Sequence, residues 1–128
     1  MDDTTLEELD GQSWGEADAD ATGLVRECHR LRRIPVRNLS NDDLRLLLGQ
    51  QIGEEWLVPI ALARLHQEPL AGDLYPGDLL NAVLKIDVKH WEIHADDLAS
   101  LRALRAALEQ IDSRARQLLG RSDWPSFE

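Results

Sequence analysis

The chain has 128 residues, a formal net charge of −10 and a single cysteine, Cys28. Such a charge repels nucleic acid and anionic membranes and attracts basic partners, and one cysteine excludes an intrachain disulfide and suits a reducing compartment. Leu, Ala, Glu, Arg and Gln dominate, whereas one Phe and one Tyr leave little from which to build a sheet.

The chain is read as all-α, one domain over 1–128, with five to seven helices. An acidic arm (1–20) precedes a helical body (21–119) and a tail (120–128). The start, MDDTTLEELDGQSW, is acidic and lacks a basic region followed by an apolar run, so it does not read as a secretory signal. No segment approaches the roughly 20 apolar residues that span a bilayer. A cytoplasmic, soluble protein is expected.

In the arm, Thr5–Leu9 suits one helical turn, with Leu6 and Leu9 on one side. Trp14, between Gly11 and Gly15, is expected to pin the arm by burying its indole. Residues 1–20 carry eight acids and no base, while 26–37 carry five arginines against Glu27, so the arm is placed to fold back on that segment. From Ala21 to Arg33, Leu24, Val25, Cys28 and Leu31 share a helical face. Pro35 ends that helix.

Ser40 reads as an N-cap, with Asp43 in the capping-box position. Leu44, Leu47 and Leu48 then point inward. The next helix runs from Glu54 to His66. Its Pro59 falls in or just after the first turn, where few internal N–H bonds are lost. Gly72–Asp78 is a tight loop with a Pro76-Gly77 turn, and Asp78 is placed to cap a helix bearing Leu79, Leu80, Val83, Leu84 and Ile86. A short turn surrounds Trp91. The last helix, Asp96–Leu119, carries a heptad-like stripe of Leu101, Leu104, Leu108, Ile111, Ala115 and Leu118. In a short domain such a stripe reads as a core face, with a dimeric coiled coil as the alternative. Gly120 is a C-cap candidate, and Trp124 and Phe127 are candidates to dock back.

Chemistry-bearing patterns are few. HWEIH spaces His90 and His94 as zinc ligands can be spaced, but it is not H-E-x-x-H and lacks an evident third ligand. Cys28 fits as a small buried side chain, since His29 points off its face. Asp73 and Asp78, with Glu54 and Glu55, read as paired carboxylates for acid–base work, as cap and turn residues, or as an acidic patch for a basic protein. No catalytic residue, metal or cofactor is expected.

Five blocks in order, LEELDGQSWGE, LVRECHRLRRIPV, DDLRLLLGQQIG, WLVPIALARL and GDLYPGDLLNAVL, cover about residues 6–84. Through them the chain resembles the helical immunity proteins of contact-dependent growth inhibition (CDI) systems. The resemblance implies a cytoplasmic protein that binds and neutralises a cognate toxin C-terminal domain by stoichiometric occlusion. Such toxins are commonly nucleases, often basic, and the acidity here is consistent with masking one. The expected contacts are Glu54, Glu55, Asp73, Tyr75 and Asp78, with Trp91 and Trp124 as further candidates. A monomer is expected, without nucleic-acid or membrane partners. The competing reading is a helical adaptor that oligomerises through the last helix, and a third is a hydrolase built on His90 and His94.

Overall fold

A computed structural model describes residues 3–119, with side chains through residue 110. Helix starts account for much of the architecture. Helix α1 (Leu6–Asp10) opens with a reciprocal capping box: Thr5 Oγ accepts from Glu8 N, and Glu8 Oε1 accepts from Thr5 N at 3.0 Å. Gly11, at φ 72°, closes it. Thr22 caps α2 (Gly23–Leu31). Ser40 and Asp43 form the expected box on α3 (Asn41–Gly49). Helices α4 (Glu54–Gln67) and α5 (Asp78–Leu84) start instead from Gly53 and Gly77, both left-handed and without a side-chain cap. Asp87 caps α6 (Val88–Ile93), and α7 runs Ala95–Leu119. The described residues thus form seven α-helices, a 3-10 turn at Val36–Asn38 that periodicity did not indicate, and no strand beyond an isolated Thr5–Pro35 bridge.

Helix α4 lies at the centre and packs on α3, α5 and α7. Its Leu57, Val58, Ala61, Leu62 and Leu65 are buried, and a fully buried leucine contributes about 1.5–3 kcal/mol. Leu6, Leu31, Leu44, Leu79, Val83 and Leu104 belong to the same apolar cluster. Pro59 is the sixth residue of α4, so the bond it cannot donate would have gone to the Glu55 carbonyl. Both residues are exposed, which leaves that carbonyl to solvent. A helix therefore survives around an internal proline.

The N-terminal arm folds back as its charges require, through a buried arginine. Arg32 is 1% exposed and grips Asp10 with both guanidinium nitrogens, at 2.8 and 3.0 Å, while Nη2 also donates to Gln12 O at 2.8 Å. Arg33 reaches Glu7 and Glu16, and Arg37 reaches Asp3. Trp14 does fasten the arm, but with its indole part-exposed: the ring lies 4.2 Å from the Arg32 guanidinium and meets His29 edge-on. Only half of the expected α2 face is buried. Cys28 and Leu31 point inward, whereas Leu24 and Val25 are 41% and 42% exposed.

Leu104 and Leu108 of the heptad-like stripe are buried and Leu101 packs against the core, so the stripe's first half is a core face. The side chains of Ile111, Ala115 and Leu118 lie outside the described residues, as do Gly120, Trp124 and Phe127.

Candidate functional site

Residues 70–78 form a loop held from inside by one carboxylate. Asp78 is the first residue of α5, and its side chain turns back into the loop rather than onto the helix. Its Oδ2 accepts from Leu74 N at 2.9 Å and from Tyr75 N at 3.4 Å. Tyr75 O in turn accepts from Asp78 N, and Leu70 O accepts from Gly77 N at 2.9 Å. Gly77, at φ 87°, supplies the left-handed turn that lets the chain enter the helix. Gly72 lies flat against the Asp78 carboxylate, where a Cβ would collide with Asp78 Oδ1 and Tyr75 O. Among the described residues Asp78 Oδ1 has no hydrogen-bond partner. Asp78 is therefore the anchor of the loop. Its helix-capping role and its role as a surface contact both give way to this, because only 1% of the residue is exposed.

Asp73 ties the loop to a second helix. Its Oδ2 accepts from Asp42 N at 2.9 Å, satisfying one of the free N–H groups at the start of α3. Asp42 also holds Arg45 at 2.6 Å, and Arg45 Nε stands 4.0 Å from Asp78 Oδ2. Beneath, Arg64 donates to Asn41 Oδ1. Burial pulls the Arg64 pKa below its ordinary value, partly offset by the nearby Asp43 and Asp73.

This framework presents apolar groups to solvent. Leu70, Leu74 and Tyr75 are 60%, 66% and 50% exposed. The Tyr75 hydroxyl accepts from Asn81 Nδ2 at 3.2 Å, which sets the ring's direction. Behind Tyr75 lies a groove of about 260 Å³ between α3, α5 and the start of α4, lined among others by Arg45, Gln51, Glu54, Asn81 and Lys85. Exposed aromatic groups such as Tyr75 are enriched at protein interfaces.

Of the residues singled out in the sequence, Glu54, Tyr75 and Asp78 line this groove. Asp73 is exposed at the α3 end of the loop. Glu55 faces elsewhere, sharing a depression with Pro59, Ile93, His94 and Asp96. Trp91 is half-buried against the core. Leu74 was missed, although it stands beside Tyr75 in GDLYPGD, and so was Arg45, which pairs with Asp42 on its own helix and reaches Asp78 on α5.

The alternative chemistries find structural roles here. His90 is buried, and its Nε2 lies 2.9 Å from Asp97 Oδ2, with the His94 ring 4.4 Å away. Among the described residues no group of three or more His, Cys, Asp or Glu could hold a metal. Cys28 is buried, and desolvation raises its thiol pKa, which disfavours the thiolate a nucleophile needs.

The family model described as CDI immunity proteins matches residues 8–101, from α1 through the loop into α7. The chain belongs to the CDI immunity protein family. No curated protein and no solved structure matches it. No described helix is long and apolar enough to cross a membrane.

Proposed function

We propose that this immunity protein acts in the cytoplasm as a single-domain monomer that binds its cognate toxin C-terminal domain and neutralises it by stoichiometric occlusion, without catalysis. The observation that carries this reading, beyond family membership, is the anchored loop at residues 70–78. Its amides and carbonyls are tied internally, so Leu74 and Tyr75 are offered in a fixed arrangement and lose little entropy on binding. Glu54 and Asp73 place negative charge beside them. The net charge of −10 would steer a basic toxin, such as a nuclease, toward this face.

The contacts are Glu54, Asp73, Leu74 and Tyr75, with Asp78 acting through the loop it holds. Glu55, on another face, contributes to long-range attraction. The test is co-purification of the chain with the product of the adjacent upstream gene. A complex stable through gel filtration supports the proposal. Failure of the two proteins to associate, with both folded, rejects it.

A further inference from the structure

Gln51 stands at φ 61°, left-handed, and is the one residue other than glycine at positive φ among the described residues. It follows α3 in a two-bond helix stop: Leu48 O accepts from Gln51 N at 3.0 Å, and Leu47 O accepts from Ile52 N at 2.9 Å. The left-handed position of such a stop usually carries glycine, because a Cβ there crowds the backbone. Glycines are near in the sequence but out of register. Gly49 lies inside α3 with open space where a Cβ would stand, and Gly53 starts α4. Glutamine at this position costs stability that glycine would not, and its side chain returns nothing inside the fold. Gln51 is exposed, and its carboxamide makes no hydrogen bond among the described residues. Backbone strain of this kind gathers at ligand-contacting positions.

Gln51 lines the groove behind Tyr75. Leu48 and Ile86, both buried, give that groove an apolar floor. Its charged lining residues are two cations, Arg45 and Lys85, and two anions, Glu54 and Asp78. They balance, so the groove suits an uncharged polar group.

We propose that Gln51 is a contact that reads the toxin: its carboxamide pairs with a main-chain peptide group of the bound toxin domain, Oε1 accepting from the N–H and Nε2 donating to the C=O. Such a contact rests on the toxin-docking face proposed above. The N–H and C=O of one extended residue point to the same side, as in a hydrogen-bonded antiparallel pair, and match this acceptor and donor. The helix stop fixes the backbone at Gln51, so little of its freedom is left to lose on binding.

The test compares melting temperature and affinity for the cognate toxin domain in Gln51→Gly, Gln51→Glu and Tyr75→Ala. Gln51→Gly is expected to melt a few degrees higher and to bind about tenfold more weakly, from the loss of two hydrogen bonds. Gln51→Glu keeps the shape and the acceptor but loses the donor, and should weaken binding without the gain in melting temperature. Unchanged melting of Gln51→Gly removes the strain and overturns the proposal. Natural affinity in Gln51→Gly beside weakened binding in Tyr75→Ala overturns it too, and leaves the docking face in place. Natural affinity in all three variants rejects the docking face itself. Tighter binding by Gln51→Glu also overturns the proposal, and assigns the groove to a cationic side chain of the toxin.

Discussion

A Cβ on Gly72 would stand 2.9 Å from Cγ of Asp78, with Oδ1 nearer still. Neither atom has room to retreat, since the carboxylate is buried and Tyr75 O closes the other side. Gly72→Ala is therefore expected to cost about 1–3 kcal/mol, the range for forced overpacking, and to loosen the loop. Chemical denaturation gives the first quantity, and hydrogen exchange at Leu74 and Tyr75 gives the second. A variant as stable and as protected as the natural chain would show that the loop is not held this way.

Loop anchoring and toxin contact separate by mutation. Tyr75→Ala and Leu74→Ala remove exposed groups, so melting should barely change while affinity falls about tenfold or more, as for interface anchors. Asp78→Ala should lower both, because two amides lose their acceptor at about 1–3 kcal/mol for each group left buried and unsatisfied. Calorimetric melts beside binding titrations distinguish the two patterns. Identical behaviour of Asp78→Ala and Tyr75→Ala would refute the division of labour.

Neutralising Glu54 or Asp73 singly is expected to slow association modestly, and reversing both to Lys to slow it by more than tenfold at low salt. The on-rate should also fall as salt rises, because screening shortens the range of attraction. Asp73 carries a structural confound through Asp42 N, so its melt must be measured alongside. An on-rate indifferent to salt and to charge reversal places the interface away from this face.

Arg32 and Asp10 hold the arm. Arg32 is buried whereas Asp10 keeps contact with solvent, so Arg32→Ala, which loses their charged hydrogen bonds, is expected to cost about 1.5–3 kcal/mol. Arg32→Lys should recover only part, since lysine lacks the two-pronged geometry and stacks less well on Trp14. The hydrogen bond from Arg32 holds Asp10 below the usual carboxylate range. Its stabilisation is therefore fully present above the unfolded-state value near 3.9 and is lost as pH falls through the lower folded value. Acid titration of stability should show this loss in the natural chain and a smaller one in Asp10→Asn.

His94→Ala should leave protection intact, because no reaction is assigned to the histidine pair. The buried His90 is a poorer test, since its loss also strands Asp97. Abolished protection by a folded His94→Ala protein would revive the metal or acid–base reading.

The helices were legible because their signals are local. Ser40 with Asp43, the leucine spacings of α3 and α7, and Pro35 each act within a few residues. The tight loop at 72–78 was legible from its glycines and proline. What was not legible depended on partners distant in the chain. Leu24 and Val25 fit a helical stripe, yet α2 buries only Cys28 and Leu31, because among the described residues no element covers its first turn. A buried arginine cannot be told from four exposed ones nearby without knowing that Asp10 and Trp14 meet it. Asp78 looked like a cap by position, and only the path of the loop turns its carboxylate inward. Glu54 and Glu55 are adjacent in sequence and face different depressions, as neighbours on a helix do.

The central claim is stoichiometric neutralisation by binding, and titration against the cognate toxin domain tests it most directly. The purified chain is added stepwise to a fixed amount of the upstream gene's toxin domain while toxin activity is followed. Activity is expected to fall linearly to an end point at one chain per toxin, and to return when the complex is dissociated and the toxin refolded. Complete inactivation by a small fraction of an equivalent, persisting after the chain is removed, would show a catalytic protein and contradict the account, as would full toxin activity at excess.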